Sequence, residues 1–484
     1  MRISPAFALL ALCVSTCSAS SEYGAGKTVP TETQEPPGHA AAIGKDGPGD
    51  AGPGDSGPSL DARRRLPVLS EIAPTWYDKA EALADRETIG AAFERQGYRV
   101  PEEAYLLIGR ISKINGRPAY TWFSLRDTGF VQSADSFWPA SMIKLVAAVG
   151  ALETLADHGL DGSTRISFTD GRGRWSGTAS RLYASALTHS NNVAYDRLMK
   201  IAGFDALNDR LLTPKNGFPF MTFQRAYDAN NDETLRVSPE IAFEKKGGET
   251  GVIPRRESAA VHEACPDEGN CATLFELLHF LQRVVLHDEI EEGDRFRLTR
   301  VDRRALARYL EAAPSRIGPG IEAALGHEVT IYNKGGRVPD LVANDHALVV
   351  DETNSRHYLV AASIAERDGK DETKARIAEL VRRGLRAVAF AKGVAVPAAV
   401  DGGAPIEIAF EERGEDSITL RLSAGDADVD ELVLYDGTEE IGRGGPEGFE
   451  ATRPIPGIDP RVFVAIATKG SRLVGYASLG LAMR

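Results

Sequence analysis

Cysteine is scarce: the 484-residue chain holds four, at positions 13, 17, 265 and 271. That excludes a small disulfide-dense scaffold and any thiolate-rich metal cluster. Positive charge is also short, with 56 Lys and Arg against 69 Asp and Glu and a formal net charge of -13. A nucleic-acid partner is therefore not expected, because neutralising phosphates needs clustered Lys and Arg. Apolar runs long enough to span a bilayer are missing as well. The nine histidines show no ligand-like spacing, so no metal and no organic cofactor is expected.

What is present begins with an export signal over residues 1–20. Arg2 gives the positive start, Ala6 to Val14 is a short apolar run, and the small residues Ser15 to Ser20 follow. Val14-Ser15-Thr16-Cys17 loosely resembles a lipoprotein signal, so a membrane tether through acylated Cys17 and plain secretion both stay open. The expected location is outside the cytoplasm: periplasmic, envelope-anchored or secreted. Residues 21–65 are rich in Gly, Pro, Asp and Ser, and Gly47-Pro48-Gly49-Asp50 recurs as Gly52-Pro53-Gly54-Asp55. Such composition cannot bury enough surface to offset ordering, which predicts a flexible linker. In an oxidising compartment Cys265 and Cys271 favour a disulfide across Pro266 and Gly269 over a metal or redox site, since His262 is the one close imidazole.

Periodicity outlines the remainder as two domains. Ala80, Leu83, Ala84, Ile89 and Ala92 recur at helical spacing between Tyr77 and Phe93. Two extended runs, Ala104 to Ile114 and Ala119 to Leu125, flank Asn115-Gly116, a strong hairpin signal. Phe137 to Leu155 reads as a long apolar helix opened by Pro139, with further helices up to about Ala313. Strand character returns at Val329 to Tyr332, Ala347 to Val350 and Tyr358 to Ile364, and Glu372 to Phe390 is helical. This order predicts a mixed α/β (α+β) domain over residues 66–395, an antiparallel sheet flanked by helices with a helical lobe. Residues 400–484 carry short strand-like runs between Gly, Asp and Pro clusters, which predicts a small all-β sandwich of immunoglobulin-like architecture. No catalytic grouping occurs there, and its expected role is interaction or support.

Chemistry concentrates in three short motifs. Ser141 and Lys144 stand three apart at the start of the apolar helix, so one face carries both. A desolvated lysine can take the serine proton, and the helix N-terminus offers N–H groups to a developing oxyanion. Ser190-Asn191-Asn192 precedes another helical pattern, and Lys334-Gly335-Gly336 follows the strand ending at Tyr332. Taken singly, each also reads as a cap or a turn. Together and in this order they resemble the S-x-x-K, S-D-N and K-T-G set of the class A β-lactamase and penicillin-binding peptidase superfamily, over roughly Pro67 to Lys392. Phe137-Trp138-Pro139-Ala140 and Asn344-Asp345-His346-Ala347 add to the resemblance, the latter as the segment entering the next strand.

The resemblance implies a β-lactamase- and transpeptidase-like fold in which Ser141 is the acylated nucleophile and Lys144 its activating partner. Ser190 would relay a proton, and Asn192 would hold Lys144 or the substrate amide. Lys334 would meet a substrate carboxylate, and the N–H groups of Ser141 and Arg337 would form the oxyanion hole. Gly335, Gly336 and Arg337 would line the substrate strand. Two departures stand out. Gly335 occupies a position that usually carries Thr or Ser, with Arg337 as a candidate replacement contact. No Glu-x-x-Leu-Asn pattern lies between Leu212 and Thr273, leaving Asp228, Asp232, Glu233 and Glu240 as candidate bases for deacylation. The expectation is an exported serine hydrolase acting on amide or β-lactam bonds, with a β-lactam or peptidoglycan-derived small molecule as partner. A D-Ala-D-Ala carboxypeptidase-like enzyme and a non-hydrolysing envelope binding protein on the same fold are the alternatives.

Overall fold

A computed structural model describes residues 69–101, 103–114, 117–125, 138–227, 236–258, 270–290, 292–367, 369–397, 404–414, 417–437, 439–454, 461–470 and 472–483. The expected signal, linker and Cys17 lie outside the described residues, as do Cys265, Asp228, Asp232 and Glu233.

The centre is a seven-stranded antiparallel sheet in the order 330–333, 342–351, 356–365, 105–114, 117–124 and 396–397, with the strand Gly336–Val338 also paired to 342–351. The 105–114 strand shows why the sheet lies between helices. Leu106 and Ile108 turn to one face and Leu107 and Ile111 to the other, and all four are buried. On the first face, Ile377, Leu380, Val381, Leu385 and Val388 of the long helix Lys370–Val388 complete the core. On the second, the helices Lys144–Asp157 and Leu274–Val285 pack against it with Tyr120 and Trp122. Lys144–Asp157 is buried almost all round, as its apolar run from Leu145 to Leu152 requires.

Three elements differ from expectation. The predicted Tyr77–Phe93 helix is two helices, Trp76–Ala82 and Thr88–Arg95. Asp85 divides them: its backbone pairs with the 117–124 strand, and its carboxylate accepts from the N–H groups of Glu87 and Thr88 at 2.9 and 2.8 Å. The lobe is not purely helical. It contains a four-stranded sheet of Arg165–Asp170, Gly173–Thr178, Ile241–Glu244 and Thr250–Ile253. Finally, Leu69–Ile72 does not belong with the hydrolase sheet but pairs with Arg472–Met483, from Leu69 against Met483 to Ile72 against Gly480.

That pairing makes the C-terminal sandwich a composite. One sheet runs 69–72, 472–483, 461–469, 431–436 and 439–444, and the facing sheet runs 407–413, 417–423 and 449–454. Ile418, Leu420, Leu422, Leu432, Leu434, Phe463, Ala465 and Leu481 fill the space between them. The outer face of the larger sheet meets the N-terminal helices through buried Leu83, Val464 and Tyr476. Lys79 lies over the Tyr476 ring at 5.8 Å, and burial lowers its pKa.

Candidate active site

The nucleophile turn is a 3-10 segment, Ala140–Ile143, running directly into the helix that begins at Lys144. Ala140 has a φ of 48°, a left-handed conformation that a residue with a Cβ adopts at a cost. Two contacts hold it there. Tyr227 donates its hydroxyl to the Ala140 carbonyl at 2.8 Å. The strand Gly336–Val338 passes so close that a Cβ on Gly336 would sit 2.7 Å from the Pro139 oxygen and 2.9 Å from the Ser141 nitrogen. Only glycine allows the third motif to approach the nucleophile's N–H at that distance.

Lys144 is fully buried and donates to the Ser190 carbonyl, to Ser190 Oγ at 3.2 Å and to Asn192 Oδ1 at 2.7 Å. Burial, together with the charge of Lys334 and against the pull of Asp196, lowers its pKa to about 7. Lys334 reaches the same hydroxyl from the other side, with Nζ 3.2 Å from Ser190 Oγ and 2.7 Å from the Gly335 carbonyl. Its pKa falls to about 8, again mainly by burial, with Asp345 opposing and Arg316 adding to the drop. Ser190 Oγ thus bridges two ammonium groups. Its own backbone is left-handed, with φ 55°, which directs the hydroxyl between them.

The second motif divides its labour. Asn191 caps the helix Asn192–Ala202, accepting from the Ala194 N–H at 2.9 Å, a role Asn fills about as well as Asp. Asn192 faces the site, and its Nδ2 donates to the Tyr227 carbonyl at 3.0 Å. Ser141, Ser190, Lys334, Gly335 and Arg337 line one cavity of about 350 Å³. Asn344 and Asp345, expected at the entry of a strand, lie within the Val342–Asp351 strand, where Asn344 stands opposite Gly336. Buried His346 shares a hydrogen bond of 2.8 Å with the Lys334 carbonyl, and burial lowers its pKa to about 3, so it is neutral at physiological pH.

The structure reassigns the contact expected of Arg337. Its guanidinium is held bidentately by the buried carboxylate of Glu366, with Nε to Oε2 at 2.6 Å, and is therefore not free for a substrate. The space left by the missing side chain at Gly335 is filled by Arg316, whose guanidinium a Cβ there would overlap. Asp345, fully buried, anchors this arginine's loop by accepting from Ser315 Oγ at 2.9 Å, the Arg316 N–H at 2.6 Å and the Ile317 N–H at 3.3 Å. Sequence reasoning missed Arg316, because nothing in Pro314-Ser315-Arg316 signals proximity to residue 335.

It also missed Tyr227. The ring lies 5.9 Å from Lys144 Nζ, the Tyr227 backbone N–H donates to Asp196 Oδ1 at 2.8 Å, and burial raises the phenol's pKa to about 12. A neutral phenol therefore stands beside Lys144 and Asn192. Of the candidate bases, Glu240 is exposed and the other three lie outside the described residues. Glu366 is the carboxylate among the described residues lining the cavity, and Arg337 binds it. Cys271 is buried and disulfide-bonded. Among the described residues, no group of three His, Cys, Asp or Glu is placed to hold a metal.

Residues 115–388, more than half the chain, match the beta-lactamase enzyme family. No curated protein matches the sequence. Among solved structures the chain is similar to the TLA-3 extended-spectrum beta-lactamase, with TM-score 0.42 and 13% identity over 62% of this chain and 97% of that one. It is similar to PBP-A, with TM-score 0.42 and 14% identity over 62% and 95%. A beta lactamase from Burkholderia vietnamiensis gives TM-score 0.41 and 18% identity over 63% and 97%.

Proposed function

The chain belongs to the beta-lactamase enzyme family, and on that premise we propose that it is a serine hydrolase opening amide bonds, of the β-lactam or peptidoglycan-peptide type, through an acyl-Ser141 intermediate. The observation that carries this reading is the Ser190 hydroxyl, 3.2 Å from both Lys144 and Lys334 beside the cavity that Ser141 lines. Neutral Lys144 takes the Ser141 proton as the oxygen attacks the carbonyl. Ser190 passes a proton to the leaving nitrogen, and the N–H groups of Ser141 and Arg337 hold the oxyanion. Lys334 and Arg316 meet the carboxylate next to the broken bond.

A specific observation favours slow turnover. With Tyr227 beside Lys144 and Asn192, the described part of the site offers no free carboxylate to activate a deacylating water. In this form the protein is a penicillin-binding hydrolase whose acyl-enzyme persists. A signal over residues 1–20 and the disulfide at Cys271 both support a location in an oxidising, extracytoplasmic compartment.

The pH dependence of acylation by a fluorescent penicillin tests the assignment. Lys144 must be neutral, so the rate rises through about pH 7, and Lys334 must be charged, so it falls above about pH 8. A narrow bell between those limbs is expected. A rate flat from pH 5 to 10 would remove the lysine pair from the mechanism.

A further inference from the structure

The protein carries a net charge of -13, yet its reaction cavity is lined by Arg316, Lys334, Arg337, Lys370 and Lys374 against the single carboxylate of Glu366. Arg337 and Glu366 neutralise one another. Arg316 lies against Gly335 and Lys334 holds the Gly335 carbonyl, so these two cations share one point, enough for one substrate carboxylate. Lys370 and Lys374 are left over. They stand one turn apart on the first turns of the helix Lys370–Val388, both exposed, and make no ion pair among the described residues. Asp371 and Glu372 in the same first turn offset the positive end of the helix dipole, which leaves the two lysine ammonium groups as the cations this helix brings to the cavity. These lysines line the cavity together with Ser141, Arg316 and Lys334. The surplus charge therefore lies at the carboxylate-binding, leaving-group end.

We infer that the preferred substrates are dianionic, with the carboxylate beside the scissile bond on Lys334 and Arg316 and a second acidic group on the leaving portion met by Lys370 and Lys374. This rests on the acyl-serine reading above and adds the substrate class to it. Exposed ion pairs are individually weak and salt-screened, so the second contact selects among substrates and contributes little to catalysis.

Two cephalosporins that share an acyl side chain but carry a sulfonate or a neutral group on the C3 substituent provide the test. At low ionic strength the wild-type protein is expected to acylate about three- to tenfold faster with the sulfonate compound. That preference should fall below about twofold in a Lys370→Gln/Lys374→Gln double variant and in high salt. Equal rates in the wild type, or a preference that survives in the double variant, would overturn the inference. Calorimetric binding of the same pair to Ser141→Ala reads the contact without chemistry. A binding preference without any acylation in the wild type would sink the acyl-serine reading and keep this one, and no binding preference would overturn this one.

Discussion

Replacing Lys144 with methionine is expected to slow acylation of Ser141 by about 10³-fold, within the usual span for removing a general base, while affinity for the substrate changes little. The separation follows from the geometry. Among the described residues Lys144 donates to Ser190 and Asn192 and lies by the Tyr227 ring, whereas the charge proposed to bind the carboxylate sits on Lys334 and Arg316. Methionine keeps the length of the stem inside a fully buried slot, so the fold should persist. Arginine should not rescue the rate, because a guanidinium stays protonated and cannot accept the serine proton. Stopped-flow labelling that separates the binding and acylation constants is the measurement. A loss below tenfold would assign the base elsewhere.

The second large effect concerns deacylation. Tyr227→Glu is expected to shorten the acyl-enzyme lifetime by about 10²-fold or more, the lower range of general-base contributions. The Tyr227 backbone is fixed from two sides, its carbonyl accepting from Asn192 and its N–H donating to Asp196. A glutamate there is shorter than the phenol that reaches the Ala140 carbonyl, so its carboxylate would stop near Lys144 with room for a water. Acylation should slow in the same variant, because Ala140 loses a contact that supports its left-handed backbone. Adduct decay followed after a short penicillin pulse decides the matter. An unchanged lifetime would mean that the tyrosine is not what withholds turnover.

The parts of this molecule that were legible in its sequence are those where a local pattern has one physical solution. The 105–114 and 117–124 strands announce themselves by apolar residues on both faces around Asn115-Gly116. The three motifs were legible because a serine and a lysine one helical turn apart, a capped helix start and a Lys-Gly-Gly strand recur together for one chemistry. What escaped depends on long-range pairing. Leu69–Ile72 completes a sheet at the other end of the chain, a partnership that no four-residue run encodes. Glu439–Gly444 is too polar and glycine-rich to read as a strand and Phe449–Pro454 too polar, and they form because the 431–436 and 417–423 strands present open edges to them.

The site divides along the same line. Arg337 was read as a substrate contact because it follows Lys334-Gly335-Gly336. Only the fold shows that Glu366, at the end of the 356–365 strand, binds it first. The sequence shows a hydroxyl missing at position 335. In space it is an exchange, with Arg316 occupying the vacancy and Asp345 holding its loop in place. Tyr227 follows the second motif by dozens of residues of mixed character, and its place beside Lys144 is set by Asp196 and Asn192.

The most direct test of the whole account is the intact mass of the protein after brief exposure to benzylpenicillin, followed by peptide mapping. The account predicts one adduct of one opened penicillin per chain, located on Ser141 and missing from Ser141→Ala. No adduct, or an adduct that persists in Ser141→Ala, would contradict it.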